Sequence, residues 1–267
     1  MLIEFIGCSG VGKTTLARKT LAAFHARGYH ATHSRDVVAR STCTRYVRNE
    51  RLRNVLLNVV LLPWFVASLR NYFPFYRFAI PLIHRDAEGI LNEINRLRST
   101  MRMMTGDALL RRRQTRSDLI LVDEGSVGCA FNLFAFAHLA CPPNLAEVRE
   151  FARLVPAPDV IIHVDVPLEL ALQRTLKRPD PPIWRGRENN RFQRYLYNSR
   201  TLFSALANAS EFKGRVLSVI NAAETLDSLN VLIDQIVDFI LEYGVRDRLI
   251  RPKPHCTGPE RLREVQE

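Results

Sequence analysis

The chain has 267 residues, 47% of them hydrophobic and 24% charged, which is typical of a globular protein with a sizeable core. This length suits one large α/β domain or one domain with insertions. The net charge is +11, and only five of the 38 basic residues are lysines. Excess arginine suits phosphate-bearing partners, although a genome-wide bias toward arginine explains it equally well. Five scattered cysteines without a C-x-x-C pair argue against a disulfide scaffold and a zinc site.

The amino terminus predicts a nucleotide site. An apolar run over residues 2–6 indicates a buried strand, and a loop matching G-x-x-x-x-G-K-[ST] follows at once, before a predicted helix over residues 14–26. Such a loop points its backbone N–H groups at phosphate, aided by the helix dipole. We expect Lys13 to reach the β- and γ-phosphates, Thr14 to hold Mg²⁺ and Thr15 to contact the α-phosphate. The loop residues are Gly7, Cys8, Ser9, Gly10, Val11, Gly12, Lys13 and Thr14.

The next segments predict a second strand and a helical insertion over about residues 44–115. The strand covers residues 29–34 and ends in Arg35-Asp36, where ligands of open α/β sheets bind. Residues 55–69 are strongly apolar but too short to span a bilayer, and Pro63 interrupts them. Core or oligomer packing is favoured for this stretch, and a peripheral membrane contact stays open because arginines flank it and Trp64 lies within it.

The remainder of the insertion divides into two parts. Pro74 and Pro81 indicate an aromatic connector, and a long arginine-rich helical pattern follows over about residues 87–113. Most of its arginines suit a solvated helix face. One or two near the middle of the helix could line an acceptor pocket.

A third strand, residues 119–122, is apolar throughout and ends in Asp123-Glu124. An acid at the end of a buried strand is what a nucleotide site needs to hold Mg²⁺ opposite a phosphate loop. Two adjacent carboxylates allow one to organise the metal and the other to take a proton from the attacking hydroxyl. Asp123 is the metal candidate, and Glu124 or Asp36 is the candidate base.

The last third supplies two more strands, at about 159–165 and 216–220. A helix after Pro167 carries Arg174, and the Pro-, Gly- and Arg-rich segment 178–191 is typical of a mobile lid that brings arginines such as Arg178 over phosphates. Asn221-Ala222 follows the last strand, and a helix over 226–243 follows in turn. We expect residues 245–267 to be a loose tail.

Five strands separated by helices predict an α/β fold with a five-stranded parallel doubly wound sheet, in one domain over residues 1–244. An acidic residue, Glu4, within the first apolar run argues against a signal peptide. Together with the scattered cysteines, this predicts a location in the reduced cytosol.

Together these motifs resemble the nucleoside and nucleotide kinases, and thymidylate kinase in particular. The resemblance covers roughly residues 1–242 and implies a P-loop NTPase fold and a donor of ATP with Mg²⁺. It also implies catalytic roles for Lys13, Arg174 and Arg178, with Arg174 over the adenine and Asn221–Ala223 flanking its other face. In that family an arginine followed by an acid, here Arg35-Asp36, and a helix arginine, here Arg102, serve the acceptor.

One departure from that family affects the acceptor. The family follows its third-strand acid with arginine, where this chain has Glu124. A carboxylate there should weaken binding of an anionic acceptor and suits a neutral hydroxyl that needs a base. The chain is therefore interpreted as a small-molecule kinase whose acceptor could be a nucleoside, a nucleoside monophosphate, a sugar or an antibiotic-like alcohol.

Alternatives to a small-molecule kinase are a nucleotide-dependent interaction protein, which could bind a partner or a membrane, and a kinase of nucleic-acid ends. The second rests only on the arginine excess, so nucleic acid is an unlikely partner. A homodimer also stays open.

Overall fold

The computed structural model describes residues 1–42, 50–85, 89–114, 118–135, 142–177, 189–222, 225–247 and 249, with backbone alone for 50–59, 61–62, 67 and 189–191. Five strands form one sheet in the order β2-β3-β1-β4-β5, and every neighbouring pair is parallel. The predicted α/β class and five-stranded parallel sheet are thus confirmed. The strands are β1 (Leu2–Ile6), β2 (Ala31–His33), β3 (Leu119–Val122), β4 (Val160–Asp165) and β5 (Val216–Ile220).

Eight helices of more than one turn are described beside the sheet. They are α1 (Lys13–Ala26), α2 (Ser34–Ser41), α3 (Glu50–Arg85), α4 (Ile90–Arg113), α5 (Leu145–Leu154), α6 (Leu168–Leu176), α7 (Asn189–Ala207) and α8 (Leu226–Arg246). A π-helical turn (Phe131–Ala135) and a 3₁₀ turn (Ser210–Phe212) complete the described elements.

The sheet separates two apolar cores because side chains alternate along each strand. From β1, Ile3 and Phe5 join the core shared with α1 and α8, whereas Ile6 joins the core built from α3, α5, α7 and the π turn. β1 and β3 are buried along their whole length, as continuous apolar runs in a parallel sheet predict. Glu4 is the one residue of β1 that is not apolar, and its side chain lies on the same side of the sheet as that of Ile6.

Helix α3 differs from the prediction of a proline-punctuated connector. Its backbone is helical at Pro63, Pro74 and Pro81, but two helical segments meet at Tyr72, whose backbone angles are not helical. A proline inside a helix removes one backbone hydrogen bond and displaces the preceding turn. The helix absorbs this displacement as a kink at Tyr72 (φ −110°, ψ 17°), two residues before Pro74. Packing against α4 and burial of Phe75 and its neighbours outweigh the local penalty.

The apolar insertion makes contacts within the protein. The guanidinium carbon of Arg112 on α4 lies 5.4 Å from the ring centroid of Trp64 on α3, a cation–π contact. Trp64 on α3 therefore contacts α4 within the protein. Over the described ranges of the chain, none of the helices combines the length and apolarity that a bilayer crossing requires.

Two boundaries differ from the sequence prediction. The second strand ends at His33 and the chain enters α2 at once, with the His33 ring nitrogen accepting from the Arg35 N–H at 3.2 Å. Arg35 and Asp36 therefore lie in the first helical turn and not in a strand-end loop. At the carboxyl end, α8 runs to Arg246, past the predicted start of the tail, and most of that tail lies outside the described residues.

Candidate active site

The segment between β1 and α1 forms a closed loop at the carboxyl edge of the sheet. Gly10 (φ +83°) and Gly12 (φ +92°) occupy backbone conformations that residues with a Cβ rarely adopt. A Cβ on Gly10 would also collide with the Ala171 carbonyl oxygen, and one on Gly12 with the Asn221 amide. The loop can therefore follow this path only with glycine at both positions.

Lys13 is folded over this loop. Its Nζ donates to the Gly7 carbonyl at 2.6 Å and to the Cys8 carbonyl at 2.9 Å, which places a cation where phosphate oxygens bind in loops of this kind. The Cys8 thiol is buried, and burial raises its pKa to about 11 although Lys13 opposes the shift. Cys8 therefore stays a neutral thiol and adds no negative charge to the loop.

Asp123 faces the loop from the end of β3. Its Oδ2 lies 3.3 Å from the Thr14 hydroxyl, which donates to it, and 3.1 Å from the Arg35 guanidinium. Its Oδ1 has no hydrogen-bond partner among the described residues although the side chain is only 2% exposed, and His33 Nε2 lies 3.6 Å from it. A buried carboxylate oxygen without a partner is costly unless something else binds it.

This pair of side chains fits Mg²⁺. The ion favours oxygen ligands and is commonly held by one or two protein groups, phosphate and water. Thr14 and Asp123 supply such a partial set. Among the described residues no three His, Cys, Asp or Glu side chains gather into an all-protein metal site.

Glu4 fastens the loop that follows Asp123. Its carboxylate, on a residue 1% exposed, accepts backbone N–H groups from Gly125 (3.2 Å), Val127 (3.2 Å) and Gly128 (2.6 Å). Burial raises the pKa of Glu4 to about 7, against the opposing effect of these three donors. Because Glu124 directly precedes the clamped segment, Glu4 sets the backbone that carries it.

A cavity of about 180 Å³ opens between this edge of the sheet and the helices. We call the loop 7–14 with Asp123 and Glu124 the phosphate wall. The opposite side, which we call the helical wall, consists of Met103, Phe131, Tyr195, Ser199 and Phe203. The cavity thus joins a polar surface to an aromatic one.

Arg174 and Asn221 meet beside the loop. The Asn221 side-chain amide donates to the Val11 carbonyl at 2.7 Å, and Arg174 donates to the Asn221 carbonyl at 3.0 Å. Asn221 is therefore a tether of the loop itself. Ala222, next in the chain, is exposed.

Arg200 is a candidate that the sequence analysis missed. It makes a two-point contact with Asp165 at the end of β4, with Nε 2.8 Å from Oδ1 and Nη2 2.7 Å from Oδ2. Partial burial favours a higher pKa for Asp165, but the hydrogen bonds and charge of Arg200 outweigh it and lower that pKa. The guanidinium also lies close enough to Cys8 to act on the pKa of its thiol. No local motif marks Arg200, because its place depends on how α7 packs against β4.

The remaining predicted residues are dispersed. Thr15, Asp36, Arg102 and Glu124 are all exposed. Of these four, Glu124 lines the cavity and the other three do not. Arg35 forms an ion pair with Asp123 at 3.1 Å. Arg178 and most of the predicted lid lie outside the described residues.

Comparisons with known proteins give a loose likeness of fold. No family model and no curated protein matches the chain. Among solved structures it is similar to thymidylate kinase from Ehrlichia chaffeensis, at 15% identity and a TM-score of 0.46 over 90% of this chain and 98% of that one. It is also similar to shikimate kinase from Acinetobacter baumannii in complex with shikimate, at 18% identity and a TM-score of 0.40 over 90% and 93%. At these scores the likeness concerns the fold alone.

Proposed function

We propose that this protein is an ATP-dependent phosphotransferase that moves the γ-phosphoryl group of MgATP to a small acceptor of the nucleoside or nucleotide type. The observation that carries the proposal is the approach of Thr14 to Asp123, 3.3 Å apart beside a glycine-rich loop, with the second Asp123 oxygen buried and without a hydrogen-bond partner in the described part of the chain. Lys13 on the same loop supplies the cation.

The donor would be held by groups already in place. The loop N–H groups and Lys13 would bind the phosphates, and Thr14 with Asp123 would hold Mg²⁺, which neutralises charge that develops during phosphoryl transfer. Arg174 and Asn221 lie together beside the loop, where they would border the base. Arg200, aligned by Asp165 next to Cys8, would add a fixed positive charge at low cost in reorganisation.

Glu124 is the proposed base of the acceptor step. It lines the cavity, follows Asp123 directly, and rests on backbone that Glu4 clamps. A carboxylate in this position would accept the proton of an acceptor hydroxyl as the oxygen bonds to phosphorus. Asp36, the other sequence candidate, does not line the cavity, so the geometry favours Glu124.

The largest loss is expected for Lys13→Ala. Removing a charge aimed at the transferring phosphoryl group should lower its transfer about 100- to 1000-fold. Transfer is measured as acceptor-dependent ATP consumption over a panel of nucleosides, nucleoside monophosphates and sugars, and thermal unfolding reports on the fold. The matched control is Lys213→Ala, an exposed lysine away from the cavity, which should keep full activity. Undiminished transfer by a folded Lys13→Ala protein would refute the proposal.

A nucleotide-dependent interaction protein is the second candidate. Val66 and Phe73, both 61% exposed, and Ile80, 49% exposed, recur every seven residues on one side of α3 and could meet a partner. This function predicts slow ATP hydrolysis that no small acceptor accelerates. Acceptor-dependent consumption in the same panel would decide against it.

A further inference from the structure

The helical wall has the composition of a ring-binding surface. Phe131 and Tyr195 meet edge to face with centroids 6.3 Å apart, and Phe192 stacks on Tyr195 at 6.1 Å. Met103 and Phe203 complete the apolar surface. Aromatic side chains that brace one another in this way offer a stiff surface against which a planar ligand can pack without ordering flexible groups.

The charges in the cavity oppose an anionic acceptor. The charged side chains among its described lining residues are Lys13, Asp123 and Glu124, and all three belong to the phosphate wall. Lys13 and Asp123 serve the donor and its Mg²⁺, so the charged side chain that an acceptor would face is Glu124. Neither Arg35 nor Arg102 lines the cavity. A phosphate brought beside this carboxylate, with no basic residue of the described lining left to pair with it, would be repelled and poorly solvated.

Ser199 provides a specific polar group in the helical wall. It is 1% exposed, lines the cavity, and its hydroxyl has no hydrogen-bond partner among the described residues. A serine inside a helix commonly donates to the carbonyl four residues earlier, but here that bond to Tyr195 is not made. A buried hydroxyl left unpaired is unfavourable, so a ligand that pairs with it gains binding free energy.

We infer that the acceptor is a small, uncharged aromatic alcohol, with its ring on the helical wall, a polar ring substituent paired with Ser199, and its hydroxyl directed to Glu124. This inference rests on the proposed function and specifies its acceptor. The cavity of about 180 Å³ also has to admit the transferring phosphoryl group. It is smaller than the roughly 300 Å³ at which drug-sized sites begin, which restricts the acceptor to small molecules.

Matched pairs of probes isolate the effect of charge. The pairs are thymidine with thymidine monophosphate and pyridoxine with pyridoxine phosphate, in which each partner has the same ring and differs by one phosphate. MgATP binding is first measured by calorimetry, and ATP consumption is then followed with each probe. In at least one pair, ATP consumption with the uncharged member should be about tenfold faster or more than with its phosphorylated partner, a difference of about one unit in log rate.

The outcomes separate this inference from the proposed function. If MgATP binds and a monophosphate is the better substrate, the kinase proposal stands and the uncharged acceptor is refuted. If MgATP binds and none of the four probes accelerates consumption, the aromatic alcohol is likewise refuted. If MgATP does not bind, the kinase proposal fails and the inference fails with it.

Ser199→Ala tests the contact itself. The KM for the uncharged acceptor should rise about two- to tenfold, the range for losing a neutral hydrogen bond, while kcat and the KM for ATP stay within about twofold. Thermal stability should not fall, because the variant removes a hydroxyl that lacks a partner. The control is Ser204→Ala, an exposed serine on the same helix, for which no constant should change. An unchanged acceptor KM in Ser199→Ala would overturn the role of Ser199.

Discussion

The two walls of the cavity are built in different ways. The phosphate wall comes from a continuous loop, residues 7–14, and the end of one neighbouring strand. The helical wall takes one residue from α4, one from the π turn and three, spaced four apart, from α7. The phosphate wall is polar and offers backbone N–H groups, a cation and carboxylates, whereas the helical wall is aromatic with one hydroxyl. The difference suggests that donor binding is set by local geometry and acceptor choice by helix packing.

Two buried carboxylates show the same contrast on a smaller scale. Glu4 is saturated by three backbone N–H groups, whereas Asp123 keeps an oxygen without a partner. A saturated buried carboxylate stabilises structure, and an unsaturated one is retained where a ligand satisfies it. Both belong to neighbouring strands at one edge of the sheet. Glu4 therefore holds the backbone that follows Asp123, and Asp123 itself acts within the site.

Asp123→Asn tests the phosphate wall by itself and, after Lys13→Ala, should have the largest effect. The amide keeps the shape of the side chain but loses the negative charge that holds Mg²⁺. Since even outer groups of a metal site cost about 10- to 100-fold when removed, the magnesium concentration for half-maximal activity should rise about 100-fold or more. Asp227→Asn, exposed on α8, is the control. If the walls act separately, the acceptor KM at saturating magnesium stays unchanged; a large rise in it would show that they do not.

The sequence predicts the phosphate wall and most of the sheet because both are local. All five strands are found, since apolar runs followed by turns are recognisable without tertiary information. The loop motif places Lys13 and Thr14, and parallel pairing of β1 with β3 brings Asp123 to the same edge. A charge inside an apolar strand was also a usable signal for Glu4, because such a residue needs buried partners.

The helical wall could not be predicted in this way. Phe131, Tyr195 and Phe203 are ordinary core residues by periodicity, and which of them borders a cavity depends on how helices distant in sequence pack. The same holds for Arg200, whose partner Asp165 lies 35 residues away. The prolines of α3 misled in part for the opposite reason, since tertiary packing keeps the backbone helical at all three and the break that local propensity favours is confined to Tyr72.

Glu4→Gln tests how Glu4 stabilises the site, through the pH dependence of the free energy of unfolding. The pKa of Glu4 rises from 4.5 to about 7 on folding, so between these values the native state binds more protons than the unfolded state. The stability contribution is complete below about pH 4.5 and is lost as pH rises through 7, a difference of about 3 kcal/mol at 1.36 kcal/mol per pKa unit. The variant lacks this titration.

Urea unfolding of both proteins at pH 5 and pH 8 checks this expectation. The free energy of unfolding of the wild type should fall more steeply between the two pH values than that of Glu4→Gln. Asp107, whose pKa burial also raises, remains in both proteins, and because its charge contributes to the raised pKa of Glu4, the comparison reports Glu4 together with this coupling. Glu242→Gln, exposed on α8, should follow the wild type. Parallel curves for wild type and Glu4→Gln would mean that Glu4 does not titrate in this range.

Gly125→Ala, paired with Gly106→Ala, has the smallest expected effect and asks whether the two walls share one support. A Cβ on Gly125 would lie 2.5 Å from the Glu4 Cδ, and three hydrogen bonds prevent that carboxylate from moving aside, so overpacking should lower stability by about 1–3 kcal/mol. Gly106 lies within α4 with no atom near its missing Cβ, and alanine there should stabilise the helix by up to about 1 kcal/mol. Because Gly125 follows Glu124, its variant should also lower kcat with acceptor present while leaving MgATP binding, measured by calorimetry, unchanged. If instead both variants bind and turn over alike, the clamp by Glu4 does not set the position of Glu124, and the phosphate wall is held by its loop alone.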